Sequence, residues 1–321
     1  MSRRLAEKFR AQIEKVALGQ LRLVPIRSGD PSDPDVTNAE IAINGDFDGP
    51  KPFREIAATM PRLKWIHSAS AGLNDIASRD LVERGVWVTN SAGVYAPSMV
   101  EYVLAMLVIA ERNLPGWLAA QRERRWLPWT AFPDGELYRK RMGIIGYGAT
   151  GRYLAQAARA LGMEVWACRR TPALIGTEPL DRLLTAFEIP TLLEACDYVV
   201  VAASLNSTTR GLISTDELRR MKPGAILVNI ARGKIVDEAA LISALRDGRL
   251  RAAILDVTSV EPLPADSPLW DMPNVFITPH ISGNTRGGYQ RTVDLFCANL
   301  RLYLAGQPER MGNLVDLRSH L

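Results

Sequence analysis

The sequence predicts an α/β protein built on a doubly wound, mostly parallel sheet, with a second and smaller α/β domain. Three observations carry this prediction. Short apolar strands alternate with helical stretches along most of the chain, the pattern of βα units with helices on both faces of a sheet. Within residues 142–170, Gly146, Gly148 and Gly151 fall in G-x-G-x-x-G spacing between an apolar run and a helical one. At 321 residues the chain is long enough for two domains of ordinary size.

Residues 21–24, 41–43, 65–68 and 86–89 read as strands by their apolar density and flanking turn residues. Pro25 ends the first of these or places it at an edge. Residues 98–112 read as a helix, with Ser98 as cap and Glu101 in the first turn ahead of Val103, Leu104, Met106 and Leu107. The stretch 114–141 is rich in Trp, Pro and Arg and reads as an irregular connector with a partner-facing role. An apolar strand, 142–145, then leads into the glycines, a helix at 152–161 and a second strand at 164–168. Further on come strands at 198–202, 225–230, 252–256 and 275–278, with helices at 215–221 and 238–246 between them. A long helix, 288–305, closes the chain. If it returns to pack on the first domain, that domain is discontinuous: residues 1–99 with 287–321, leaving 100–286 as the dinucleotide-binding domain.

Bulk properties exclude several functions. Net charge is +4 and the pI is near 9.0, yet the basic residues are scattered in pairs such as Arg3-Arg4, Arg124-Arg125 and Arg219-Arg220. No basic tract for nucleic acid is present; a diffuse positive field that draws in anionic substrate and cofactor is the reading. No apolar run approaches the length of a membrane span, so no membrane partner is expected. The start of the chain is charged and amphipathic, without the apolar core of a secretory signal, and Glu7 and Glu14 count against a transit peptide. Cys168, Cys196 and Cys297 show neither metal spacing nor a paired framework. Buried free thiols in a reducing cytoplasm, and no metal, are expected.

The glycines have distinct tasks. Gly146 allows the tight turn, Gly148 lets backbone N–H groups reach a pyrophosphate, and Gly151 brings the helix close to the strand. About 20 residues further on, an NAD site has an acid for the ribose 2′-OH. Here the second strand ends in Cys168-Arg169-Arg170-Thr171, with no acid. Two guanidiniums match the oxygens of a 2′-phosphate, so NADP is the expected cofactor and NAD the lesser one.

Three histidines are available for chemistry. His320 is next to the last residue, and His67 follows the strand residues Trp65 and Ile66. His280 stands at the carboxyl end of a predicted strand, where open α/β sheets bind their ligands. Two other strand ends carry Arg232, followed by Gly233, and Glu261, followed by Pro262. A ketone that accepts a hydride develops an alkoxide, and an imidazole is suited to protonate it. A neighbouring carboxylate favours the protonated ring, so Glu261 holds His280 charged and oriented. Arg232 grips a substrate carboxylate and polarises the carbonyl.

The segments 143–151, 228–233, 256–262 and 278–280 resemble the D-isomer-specific 2-hydroxyacid dehydrogenase family, over nearly the whole chain and least in its first sixty residues. The resemblance implies a Rossmann-type cofactor domain and a flavodoxin-like substrate domain. It implies Arg232, Glu261 and His280 as the catalytic set, and homodimers joined through the cofactor domains. Ser70, Ala71 and Gly72 match the loop whose amides meet the substrate carboxylate. Ala149 and Thr150 match the pyrophosphate turn, Ala203 and Ser204 the loop under the adenine, and Ile230 and Ala231 further cofactor contacts. Asp256 matches the residue that holds the nicotinamide carboxamide. Three departures stand out: Arg169 replaces a common Asp, Ser204 a common Pro and Asn74 a common Asp.

The chain ends soon after its closing helix, without the regulatory extension of many phosphoglycerate dehydrogenases. With Arg169 and Arg170, it is most similar to NADPH-dependent glyoxylate/hydroxypyruvate reductases. Trp126 and Trp129 resemble tryptophans that reach a neighbouring subunit, or else pack within the connector. The alternatives are an NAD-dependent dehydrogenase of another or a phosphorylated 2-hydroxy acid, and a dinucleotide-sensing corepressor-like protein without turnover.

Overall fold

A computed structural model describes residues 3–24, 34–45, 53–73, 75–131, 135–170 and 178–320. The chain divides into two compact units, Met1–Val94 with Thr285–Leu321, and Tyr95–Asn284.

In the first unit, helices α1 (Arg3–Ala17) and α2 (Pro34–Thr37) precede strand β1 (Ile41–Asn44). Helix α3 (Phe53–Ala58), strand β2 (Trp65–Ser68), helix α4 (Arg79–Glu83) and strand β3 (Trp87–Thr89) follow. The three strands form a parallel sheet in the order β1-β2-β3. Residues 21–24 are not the strand their apolar density predicts. Leu21 and Leu23 are half-buried against a hydrophobic cluster instead, so their apolar character serves packing rather than pairing. Pro25 lies outside the described residues.

The second unit opens with helices α5 (Ala96–Glu111) and α6 (Leu114–Arg122). Helix α5 begins before Ser98, because Pro97 fits the first turn, where its missing N–H is not needed. Ser98 is therefore inside the helix and is not its cap. The stretch expected to be irregular also contains a helix, α6. Pro115 sits in its first turn and the Asn113 side chain accepts from Gly116 N at 3.4 Å.

The remaining elements alternate: β4 (Arg141–Ile145), α7 (Ala149–Ala160), β5 (Glu164–Arg169), β6 (Arg182–Thr185), α8 (Ile189–Ala195) and β7 (Tyr198–Val201). Helix α9 (Thr215–Arg220), β8 (Ala225–Asn229), α10 (Glu238–Arg246), β9 (Leu250–Leu255) and β10 (Val275–Ile277) complete the unit. Seven strands pair in parallel in the order β10-β9-β8-β7-β4-β5-β6. The order reverses at β4, which lies between β5 and β7, and this is the doubly wound arrangement.

Both faces of this sheet are covered, so its strands read as continuous apolar runs. Ile226 and Val228 face α5 and α7, with Val103, Leu107, Leu154 and Ala158. Ala225 and Leu227 face the other way, with Leu192, Leu218 and Leu241 of α8, α9 and α10. At the end of α5 the buried Glu111 accepts from the Tyr198 hydroxyl at 2.7 Å and pairs with Arg251, tying the helix to β7 and β9.

Helix α11 (Arg286–Leu304) belongs to the first unit. Phe9, Ile13 and Ala17 of α1 are all buried, four residues apart, on one helix face. Phe9 and Ile13 share a cluster with Val293, Phe296, Cys297 and Leu300 of α11.

The three cysteines are free and buried, and burial pushes the thiols of Cys168 and Cys196 up to about 11 and about 12. No single helix among the described residues is long and apolar enough to cross a membrane.

Candidate active site

The three glycines of the β4–α7 turn meet different surroundings. Gly146 has φ +105, and a Cβ there would collide with the backbone of Ala202 and Ala203 after β7. A Cβ on Gly151 would lie 2.6 Å from the Gly146 carbonyl oxygen, so this glycine sets the close approach of helix to strand. A Cβ on Gly148 would meet no protein atom within 4 Å. Nothing inside the protein demands a glycine there, and the space over this backbone is open. Gly148 caps α7 without a side-chain bond, and Ala149 and Thr150 begin the helix. The turn thus fits a dinucleotide pyrophosphate by shape and by the positive helix terminus.

Arg169 is the last residue of β5, paired with Thr185, and Arg170 follows it, also partly exposed. Neither makes an ion pair with a described residue. Thr171 lies outside the described residues. An acid absent from the sequence reading does approach this turn. Glu178 accepts from the Tyr147 hydroxyl at 3.0 Å and pairs with Arg152 at 2.8 Å, so its carboxylate is committed. Desolvation and this carboxylate both raise the Tyr147 phenol above its usual range.

Ser204 stands on an exposed loop whose shape is set without a proline. Its carbonyl accepts from Thr209 Oγ1 at 2.7 Å, and Asn206 Oδ1 accepts from the amides of Thr208 and Thr209. The Ala203 backbone faces Gly146. Ile230 and Ala231 are buried, their side chains in the hydrophobic clusters on the two sides of the sheet, and the Ile230 amide donates to the Val201 carbonyl at 3.3 Å.

The charged residues come from the carboxyl ends of β8, β9 and β10. His280 Nδ1 lies 2.8 Å from Glu261 Oε2, and the other Glu261 oxygen accepts from Thr258 N at 3.1 Å. Both side chains are partly exposed. With Nδ1 donating to the carboxylate, Nε2 is the ring atom left for a substrate. Arg232 Nη1 donates to the Ala231 carbonyl at 2.7 Å. The buried Asn229 accepts from Ala231 N and donates to the Arg232 carbonyl. A Cβ on Gly233 would overlap the Thr258 carbonyl group, so this glycine lets the Arg232 loop pass against the loop that carries Glu261.

Asp256 organises the His280 loop. It is 1% exposed, and Oδ1 accepts from Thr278 Oγ1 at 2.6 Å and from Ile281 N at 2.8 Å. Oδ2 accepts from Ser282 N at 3.0 Å, and the Asp256 carbonyl accepts from His280 N at 2.8 Å. These bonds accompany a φ of +55 at His280, in the left-handed region that few non-glycine residues adopt. One lone pair of Oδ2 stays open, which fits a carboxamide N–H. Helix α5 supports the same loop in a way the sequence did not reveal. Ser98 Oγ donates to the Gly283 carbonyl at 3.1 Å. One turn on, the Tyr102 hydroxyl lies 2.8 Å from Thr278 Oγ1. The Thr278 proton is committed to Asp256, so Tyr102 is the donor in that pair.

Ser70, Ala71 and Gly72 belong to the other unit. The carbonyls of this turn all have donors: Ser70 O accepts from Ser91 N, Ala71 O from Asn90 Nδ2 and Gly72 O from Ser70 Oγ. Among the described residues the amides of Ala71 and Gly72 have no partner, which is the disposition of an anion-binding turn. Asn74 lies outside the described residues, as does the Trp129 side chain. His67 is not at a surface; it is fully buried beneath this turn. A cavity of about 600 Å³ in the second unit lies along α6, lined by Trp117, Gln121, Arg124, Trp126 and Leu127, and not at the strand ends. No group of residues with metal-ligating character occurs among the described residues.

Comparison with known proteins agrees with this geometry. Residues 104–282 match the profile of the D-isomer specific 2-hydroxyacid dehydrogenase, NAD binding domain. The chain is 35% identical over 253 residues to a D-3-phosphoglycerate dehydrogenase of Mycobacterium bovis, covering 79% of this chain and 47% of that one. The chain therefore spans about half the length of such relatives. It is 33% identical over 259 residues to a glyoxylate reductase of Thermococcus gammatolerans, covering 79% and 77%. Among solved structures, a D-isomer specific 2-hydroxyacid dehydrogenase from Xanthobacter autotrophicus in complex with NADPH and MES superposes with a TM-score of 0.79. The two are 31% identical, with 98% and 96% of the chains covered.

Proposed function

The chain belongs to the D-isomer-specific 2-hydroxyacid dehydrogenase family, and from that premise we propose that it uses NADPH to reduce a small 2-keto acid of the glyoxylate or hydroxypyruvate kind to a D-2-hydroxy acid. The observation that carries this reading is the His280–Glu261 pair at the strand-end edge of the sheet that also bears the three-glycine turn.

Bound NADPH supplies the hydride to the carbonyl carbon. His280, anchored through Nδ1, gives the proton on Nε2 to the oxygen as negative charge develops there. Glu261 keeps the ring oriented through its bond to Nδ1. Arg232 offers a planar fork to the substrate carboxylate. In the first unit, the amides of Ala71 and Gly72 are donors that we assign to binding a substrate carboxylate. Asp256 would hold the nicotinamide carboxamide of the bound cofactor. Arg169 and Arg170 support NADPH over NADH, since they stand where an acid would otherwise read the ribose.

A second reading, an NAD-dependent dehydrogenase of a phosphorylated 2-hydroxy acid, is favoured by the identity to phosphoglycerate dehydrogenases. We also propose a cytoplasmic homodimer. The support is the free buried thiols on the first point and the exposed Trp126 and Leu118 of the cofactor unit on the second. The enantiomer formed from hydroxypyruvate tests the main reading: D-glycerate supports it, and L-glycerate contradicts it.

A further inference from the structure

His67 is one of three histidines in the chain, has no part in the proposed chemistry and lies deep in a core. It is 0% exposed. Trp65 meets its ring edge-on at 6.3 Å between centroids, and Phe296 of α11 lies tilted against it at 5.5 Å. Nδ1 is 2.8 Å from Thr89 Oγ1, its neighbour across the β2–β3 register. Nε2 is 3.5 Å from Ser91 Oγ, the longest link.

The directions of these bonds follow from what each group can do. The Trp65 indole only donates, and it donates to Thr89 Oγ1 at 3.0 Å. The Thr89 proton then goes to His67 Nδ1, which must be the acceptor. The single ring proton is on Nε2 and goes to Ser91 Oγ. Ser91 in turn donates to the Ser68 carbonyl at 2.9 Å. Every donor is used once. The opposite tautomer leaves the Thr89 proton without an acceptor and sets a lone pair of Nε2 against an oxygen whose proton is already spent.

The chain of bonds ends on the turn with the outward amides. Ser91 is the hinge of this arrangement, because its oxygen takes Ser68 O while its own amide takes Ser70 O at 3.1 Å. We propose that His67 is a positioning residue for the substrate turn: held as the neutral Nε2–H tautomer, it fixes Ser91, and Ser91 turns the carbonyls of Ser68 and Ser70 inward so that the amides of Ala71 and Gly72 face the anion. Burial, which pushes the ring down to about 4, keeps it uncharged at neutral pH, and no charged side chain among the described residues bonds to it. The inference rests on the reading of Ser70–Gly72 as the holder of a substrate carboxylate.

Two measurements test it. The first is the ¹⁵N spectrum of the imidazoles in the intact protein, which is independent of activity. A neutral Nε2–H ring for His67 at pH 6 is expected; an Nδ1–H tautomer or an imidazolium overturns the proposal. The second is steady-state kinetics with glyoxylate and NADPH. In His67→Leu and Ser91→Ala the KM for glyoxylate rises about tenfold while kcat stays within about twofold, as for lost uniform binding. NADPH affinity stays unchanged, and His67→Gln, whose amide reaches the position of Nε2, restores most of the loss. A KM unchanged in both variants, or a fall confined to kcat, overturns the proposal. Absence of turnover in the unmodified protein would instead count against the keto acid reading, and the spectrum would still decide the arrangement of the ring.

Discussion

His280 Nδ1 and Glu261 Oε2 lie 2.8 Å apart, in the loops that follow the neighbouring parallel strands β10 and β9. The pair leaves Nε2 as the ring atom that can meet a substrate. His280→Ala should therefore lower kcat by about 10²–10⁴-fold, the usual worth of a general acid, with NADPH affinity unchanged. Fluorescence titration with NADPH alongside the kinetics checks this; a loss of dinucleotide affinity would make the histidine structural.

Arg169 ends β5 without an ion-pair partner among the described residues. Arg169→Asp should weaken NADPH binding by about 10–100-fold and leave NADH binding intact or improved, since a charge-assisted hydrogen bond is worth roughly 1.5–3 kcal/mol. Dissociation constants for both dinucleotides measure this. An unchanged ratio would remove the phosphate-clamp argument.

The glycines separate folding from binding. Gly148→Ala should fold with its thermal midpoint unchanged yet bind dinucleotide more weakly, because its Cβ enters space that no protein atom occupies. Gly146→Ala should lose stability outright, its Cβ being driven into the Ala203 backbone at a positive φ. Calorimetry and NADPH titration of both variants distinguish the roles, and equal behaviour of the two would refute the assignment.

Burial sets the His67 imidazole at about 4, below its ordinary 6.5. Between these values the unfolded chain binds the proton and the folded protein does not. Stability is thus fully present above pH 6.5 and falls as the pH drops towards 4, by roughly 3 kcal/mol at 1.36 kcal/mol per unit. Denaturant midpoints at pH 7 and pH 4.5 should differ less for His67→Gln than for the unmodified protein. Identical losses in the two would show that the pH dependence arises elsewhere.

The cofactor unit was legible because parallel strands buried on both faces leave unbroken apolar runs, and because the glycine spacing marks the one turn where helix and strand nearly touch. Residues 21–24 misled for a related reason: apolar density does not distinguish packing against α1 and α11 from pairing in a sheet. Helix α6 was hidden by Pro115, which reads as a breaker unless its place in the first turn is known. Strand β6 and helix α8 went unread, although Thr185 and Glu188 form a capping box on the helical turn that leads into α8.

In the site, Arg232, Glu261 and His280 were visible as charges isolated at strand ends. The support under them was not. Ser98 and Tyr102 hold a loop some 180 residues away, and Glu178 reaches Tyr147 only through the fold. Spacing along a chain carries no trace of such partners.

On the proposed reading, the dyad and the paired arginines make an NADPH-linked keto acid reductase. The most direct measurement is oxidation of NADPH and of NADH by the purified protein with glyoxylate, hydroxypyruvate and pyruvate. Faster turnover with NADPH and the first two acids is the predicted result. Tight dinucleotide binding without turnover of any of the three acids would contradict it and favour a sensor.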